Sequence, residues 1–173
     1  MKRELNIVVN GESYNLWIEP KTLLIQVLRD ELGFKGTKHS CDSGSCAACS
    51  VILDGKVVKS CSVLALQANG KEVLTIEGLA DGAKLHPIQQ AFIDNWAFQC
   101  GFCTSGQIMA AKALLDENPD PTREEIQMAM DGHLCRCTGY NMINEAVRDA
   151  AKRLQSQENL QSQSAKSGKG ATK

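Results

Sequence analysis

Eight of the 173 residues are cysteine, and they fall into two sets of four. Cys41, Cys46 and Cys49 place three thiols within nine residues, and Cys61 follows after eleven more. This C-x4-C-x2-C run with a distant fourth thiol is the layout of a plant-type [2Fe-2S] site. Two irons and two sulfides make a compact rhomb that needs four thiolates. A single loop can supply three of them only if its backbone wraps the cluster closely. The small residues between these cysteines permit that approach, and Gly44 tolerates positive φ. A loop wrapped in this way aims N–H groups at sulfur, which stabilises negative charge and sets the reduction potential. A zinc site on Cys46 and Cys49 is the alternative, but zinc has no use for the extra thiol at this spacing.

The second set is Cys100 and Cys103, then Cys135 and Cys137. Each pair precedes a helical stretch, so each sits where free N–H groups and the helix dipole favour thiolates. Two such helix starts brought together offer four thiolates at one point, which suits a second [2Fe-2S] cluster. Taken alone this spacing would also fit zinc or a redox dithiol. Beside the first set it completes a division of all eight cysteines into four and four.

The elements that must position these thiols are legible in outline. Leu5, Ile7 and Val9 alternate, Asn10-Gly11 turns the chain, and Tyr14, Leu16 and Ile18 alternate again, a hairpin. Thr22 reads as the cap of a helix carrying Leu24, Val27, Leu28 and Leu32 and ended by Gly33. Ser50–Leu53 and Lys56–Lys59 flank Asp54-Gly55 as a second hairpin, and 73–76 is a last short strand. Beyond 79–84, a linker, the period becomes helical. His86-Pro87 opens a helix, with proline at its first position. Thr104 to Gln107 and Thr122 to Glu125 have capping-box spacing, the latter opening a short helix that stops near Gly132. Asn141 is placed to cap a helix with Ile143, Ala146, Val147, Ala150 and Leu154 on one stripe. The fold class is therefore α+β, with a strand-rich domain at 1–78, a four-helix domain at 85–156 and a disordered tail at 157–173, where apolar periodicity stops.

Bulk properties narrow the function. Lys plus Arg (19) nearly balances Asp plus Glu (20), and aromatics are only 5%, which argues against a nucleic-acid surface. No apolar run approaches the roughly 18 residues of a membrane span, and no signal peptide is recognisable at the start. The expectation is a cytoplasmic protein, without membrane or nucleic-acid partners, whose cysteines hold metal.

The stretches Gly36 to Lys38, Cys41 to Cys49, Ser60-Cys61, Gln99 to Thr104, Gly106 to Met109 and Leu134 to Tyr140 together resemble the small iron–sulfur subunit of the molybdenum hydroxylases, the xanthine dehydrogenase family. The resemblance covers about Lys2 to Leu154. It implies a β-grasp ferredoxin-like domain followed by a four-helix [2Fe-2S]-binding bundle. It implies a large partner subunit with a molybdenum–pterin cofactor, a medium subunit with FAD, and a dimer of such heterotrimers. Electrons would run from molybdenum through the Cys100/Cys103/Cys135/Cys137 cluster, then the Cys41/Cys46/Cys49/Cys61 cluster, to FAD. Gln99 and Cys137 match positions that border the pterin. The chain departs from the family pattern at Ala47, where glycine is usual, at His39-Ser40, where a glycine usually precedes the first cysteine, and at Ser105, where proline is common. If the backbone at 47 needs positive φ, alanine costs ~1–2 kcal/mol there; the expected response is a slight shift of the loop.

Other readings are a free-standing two-cluster ferredoxin and a zinc-stabilised interaction protein. His39 beside Cys41 invites a Rieske-type site, yet four cysteines already fill it. His86 reads as a cap, His133 as a loop residue, and Met109, Met128, Met130 and Met142 as core. No phosphate loop, dinucleotide fingerprint or Ser-His-Asp set is present, so the chain itself has no catalytic residue to nominate.

Overall fold

The computed structural model describes residues 1–167. Arg3–Val9 (β1) and Glu12–Ile18 (β2) pair antiparallel across Asn10-Gly11, with Leu5 opposite Leu16 and Ile7 opposite Tyr14. Ser50–Leu53 (β3) and Lys56–Lys59 (β4) form the second hairpin. Glu72–Leu74 (β5) lies between them, parallel to β1 and antiparallel to β3, so the sheet order is β2-β1-β5-β3-β4. On β1 the alternation does its expected work, with Leu5, Ile7 and Val9 buried. On β3 all four residues are buried, because the strand also packs against a helix of the second half.

The first helix is shorter and less regular than its spacing predicts. Leu24–Gln26 (α1) is a single turn, and Val27–Glu31 continues as a π-turn. Leu23 holds the cap position in place of Thr22, whose carbonyl instead accepts the Ala65 N–H at 2.8 Å. A long-range bond has overridden local capping. The widened turn sets Arg29 so that Nη1 donates to the carbonyls of Lys35 and Thr37, at 2.9 and 2.6 Å. That clamp holds the segment leading into Cys41.

Four helices follow: Pro87–Asp94 (α2), Thr104–Glu117 (α3), Arg123–Met130 (α4) and Asn141–Ser167 (α5). His86 caps α2, its Nδ1 accepting from the Ile88 N–H at 3.3 Å. The Thr122–Glu125 box forms as its spacing predicts, with both reciprocal bonds present. The Thr104–Gln107 box does not form. Cys103 already has helical dihedrals (φ −84, ψ −11), so Thr104 is the first helical residue and lacks the extended backbone a cap requires. Asn141 is likewise the first residue of α5, and the Tyr140 carbonyl accepts the N–H groups of Ile143 and Asn144.

The end of the chain corrects a further expectation. α5 continues to Ser167 where a disordered tail from Gln157 was expected; residues 168–173 lie outside the described residues. Gln, Glu, Lys and Ala are good helix formers, and extending an existing helix carries no nucleation cost. The helix is anchored by Arg153, which bridges Asp94 of α2 and Asp149 of α5 at 2.7 Å each.

Two apolar cores result. One joins Leu5, Val9, Leu24, Leu28, Val51 and Val73 under the sheet. The other joins Ile88, Phe92, Ala111, Ile126, Ile143 and Val147 among the helices, with Leu74, Ile76 and Leu79 packed on it. The segment between the halves thus contributes side chains to the helical core. Met109 and Met130 are buried as expected, but Met128 and Met142 are 76% and 47% exposed. Their helical spacing is real; they lie on outward faces.

Candidate metal centres

The first loop is built to hold sulfur anions. Asp42, Gly44 and Ala47 all have positive φ (54°, 71° and 56°), so the loop turns tightly on itself. The Cys46 N–H reaches Cys41 Sγ at 3.4 Å. This N–H and that of Ser43 hold the Cys41 thiol down at about 6, so the thiol is readily ionised. Cys49 is buried against Cys61, and burial pushes its thiol up to about 11. Ala47 holds a left-handed backbone (φ 56°), is fully buried, and its carbonyl is tied down by the Ser50 N–H (3.1 Å) and Ser50 Oγ (2.8 Å). His39 is engaged by the Asp42 carboxylate.

The second set converges from two loops. Cys103 is the cap residue of α3, and Cys135 and Cys137 lie just ahead of α5. Cys100 and Cys137 have sulfurs 3.5 Å apart, and Cys103 faces Cys135. Burial pushes Cys103 up to about 12, while the Phe102 backbone N–H and the Cys137 thiol draw Cys100 down. Cys135 Sγ meets Thr138 Oγ1 at 3.1 Å, and the Cys135 N–H donates to Tyr140 Oη at 3.0 Å. Cys100, Cys137 and Gln99 are exposed; Cys103 and Cys135 are half-buried.

All eight cysteines are free thiols. Among the described residues, no three Cys, His, Asp or Glu side chains converge on one metal-ion position. Three thiol pairs are in contact, Cys49 with Cys61, Cys100 with Cys137 and Cys103 with Cys135, and each iron of a [2Fe-2S] rhomb takes two thiolates from the protein. The start of α3 also carries buried Thr104 Oγ1, Ser105 Oγ and the Gln107 amide, none with a protein partner. Paired thiols, the N–H groups of Ser43 and Cys46 at Cys41, and unpartnered polar atoms beside Cys103 fit two iron–sulfur groups.

The two loops touch. The Leu134 N–H, next to Cys135, donates to the carbonyl of Cys46 at 3.0 Å. Gly106 of α3 lies so close that a Cβ there would sit 2.4 Å from the Ala47 carbonyl oxygen and 3.1 Å from Ala48 Cα. His133 Nε2 lies 3.1 Å from Ser50 Oγ, buried between the halves, so it is more than a loop residue. None of these three roles follows from spacing, since each joins residues distant in sequence. The Cys-x-Cys-Thr-Gly-Tyr run was a possible signal for Thr138 and Tyr140, which serve Cys135 locally.

Comparison with known proteins agrees with this geometry. Residues 7–78 match the family described as "2Fe-2S iron-sulfur cluster binding domain" and residues 75–148 the "[2Fe-2S] binding domain". The small FeS subunit of nicotinate dehydrogenase from Eubacterium barkeri is 47% identical over 152 residues, 88% of this chain and 97% of that one. Among solved structures, quinoline 2-oxidoreductase from Pseudomonas putida 86 aligns at a TM-score of 0.84 and 40% identity, over 87% of this chain and 94% of that chain. Aldehyde oxidoreductase from Desulfovibrio gigas aligns at 0.86 and 44%, over 90% of this chain but 17% of that larger polypeptide. This chain belongs to the iron–sulfur subunits of the molybdenum hydroxylases. As in that family, its work is electron transfer within an oxidoreductase complex, and it is not the catalytic subunit. The mixed α+β architecture is that of the aldehyde oxidoreductase iron–sulfur domains. No described helix of this iron–sulfur subunit is long and apolar enough to cross a membrane.

Proposed function

We propose that this chain carries two [2Fe-2S] clusters, one in the β-grasp ferredoxin-like half and one in a bundle of the four helices, and relays electrons between a molybdenum–pterin subunit and an FAD subunit. The observation that carries this reading is the meeting of two complete four-cysteine sets through the Leu134 N–H to Cys46 carbonyl bond. Cys41, Cys46, Cys49 and Cys61 would hold the first cluster, and Cys100, Cys103, Cys135 and Cys137 the second. Each cluster, when bound, supplies reversible one-electron transfer. The protein fixes the clusters, aims N–H groups at their sulfurs and shields their inner ligands from water.

Exposure supports the orientation of the relay. Cys100 and Cys137 reach the surface, whereas Cys49 and Cys61 are buried. Around the exposed pair in sequence stand Trp96, Phe98, Phe102 and Leu134, which are 75%, 36%, 44% and 57% exposed. Such apolar exposure suits a covered face. We place the molybdenum–pterin subunit there, with Gln99 and Cys137 bordering the pterin, and the FAD subunit nearer the first cluster. Two such heterotrimers would form the complete, cytoplasmic enzyme. The substrate pocket would belong to the large subunit.

Anaerobic iron and sulfide analysis should give four irons per chain and two distinguishable [2Fe-2S] signals on reduction. Two irons, or stoichiometric zinc, would overturn the reading. In the assembled enzyme, Cys137→Ser should damage the second cluster and slow reduction by substrate. Cys46→Ser should leave that reduction intact and block transfer to FAD. Identical spectra for the two variants would contradict the assignment.

A further inference from the structure

Gln107 is 1% exposed, and neither atom of its side-chain amide has a partner in the protein. Leaving a buried amide unpaired costs on the order of 1–3 kcal/mol, so native interiors rarely keep one. Nothing in the packing of α3 calls for it: the neighbours Ile108, Met109, Ala110 and Ala111 are apolar and buried. Its position narrows what the amide can meet. The Gln107 N–H bonds the Cys103 carbonyl at 3.1 Å, so Gln107 stands one turn beyond Cys103 on the same helical face. Helical side chains lean towards the N-terminus and cover the preceding turn, which here is the turn of Cys103. The adjacent Gly106 lies against the Ala47–Ala48 backbone, so this turn of α3 is packed on the first half.

We infer that the Gln107 amide donates its N–H to a sulfur of the second cluster and thereby raises that cluster's reduction potential. The inference rests on the two-cluster reading above. A cluster gains negative charge on reduction, and a donor aimed at its sulfur stabilises the reduced form more than the oxidised one. A buried water would satisfy the same amide, but it would leave the potential unmoved when the amide is replaced.

The test is Gln107→Met, which keeps length and volume and removes the donor. Full chain with four irons is titrated anaerobically, and both clusters are followed by their separate paramagnetic signals. At the potential where the wild-type second cluster is half reduced, the variant should have a reduced-to-oxidised ratio about tenfold lower, a downward shift of 59 mV for one electron. The first cluster should not move. Unchanged potentials, an equal shift in both clusters, or a shift in the first alone would each overturn the inference while leaving the two-cluster reading intact. A wild-type chain with fewer than four irons would defeat that reading first. A second measurement covers a variant that fails to assemble: pulsed magnetic resonance on wild-type chain with ¹⁵N in its glutamine amides should show nitrogen coupled to the reduced second cluster, and loss of that coupling when all other glutamines but not Gln107 are labelled. Absence of any such coupling overturns the inference.

Discussion

Gly106→Ala tests whether the two halves are held by steric contact. In an isolated helix, alanine at this interior position would be about 0.8–1 kcal/mol better than glycine. Here the new methyl carbon would lie 2.4 Å from the Ala47 carbonyl oxygen, with Ala48 Cα at 3.1 Å. Ordinary contact needs about 3.4 Å, so helix or loop must yield by roughly 1 Å, and the obstacle is backbone that cannot rotate away. Overpacking of this kind costs about 1–3 kcal/mol. The balance runs from near neutral to a loss of about 2 kcal/mol, or a Tm lower by up to ~4–8 °C for a chain of this size. The displaced carbonyl belongs to the residue after Cys46, so the first cluster's signal should change although the mutation is in the second half. Gly132→Ala is the control. Nothing lies within 4 Å of its added carbon, and its φ is not in the left-handed region, so it should gain about 0.4–1 kcal/mol through the unfolded state. Thermal unfolding and the two cluster signals together decide. A Gly106→Ala chain more stable than wild type, with both signals unchanged, refutes the contact.

Other outcomes follow from single residues. Ala47→Gly sheds ~1–2 kcal/mol of left-handed strain but loses a buried methyl worth about 0.8 kcal/mol and about 0.4–1 kcal/mol to unfolded-state freedom. Chemical unfolding should therefore move by less than about 1 kcal/mol, and a larger loss would show that the methyl matters to the loop. Trp96 stands in left-handed conformation (φ 52°) where α2 ends, with the Ala97 N–H bonding the Phe92 carbonyl at 2.9 Å, a position that favours glycine. Trp96→Gly should leave the free chain as stable or up to about 1 kcal/mol more so, yet weaken co-purification with the large subunit about tenfold or more; unaltered assembly would remove Trp96 from the interface. Burial, then the Lys59 charge, hold His133 down at about 4. Its folded pKa lies below its unfolded value, so its contribution is intact above pH ~6.5 and is lost as pH falls towards 4, up to about 3 kcal/mol. Unfolding midpoints across that window should fall less steeply in His133→Gln, and equal slopes would exclude the histidine.

What was legible in the sequence was local. Asn10-Gly11 and Asp54-Gly55 name both hairpins, the Thr122–Glu125 box forms, and the cysteine spacings point to the two loops. Reading failed where distant chain decides. Thr22 loses its cap to an Ala65 contact, and Thr104 loses its box because the cysteine loop enters α3 already helical. Apolar spacing placed Met128 and Met142 in the core because it reports a helix's period and not which stripe meets a neighbour. The contact of Gly106 with Ala47 joins residues 59 positions apart, and no pattern within either segment announces it. Ala47 itself was recognisable as a departure, but only the backbone shows that the chain keeps the strain.

The fit of α3 against the Cys46–Ala48 backbone has a consequence for timing. Tunnelling between redox centres falls off exponentially with separation, so a flexible joint would make every passage depend on domain motion. At Gly106 there is no space for even a methyl group against Ala47, and the Leu134–Cys46 bond spans the same seam, so the two cysteine sets meet through a tight backbone contact, and in the two-cluster reading their spacing would be held by the fold. The throughput of the enzyme would then be governed at the two ends of the chain's circuit, where partners dock and substrates turn over, and not by a hinge in the middle.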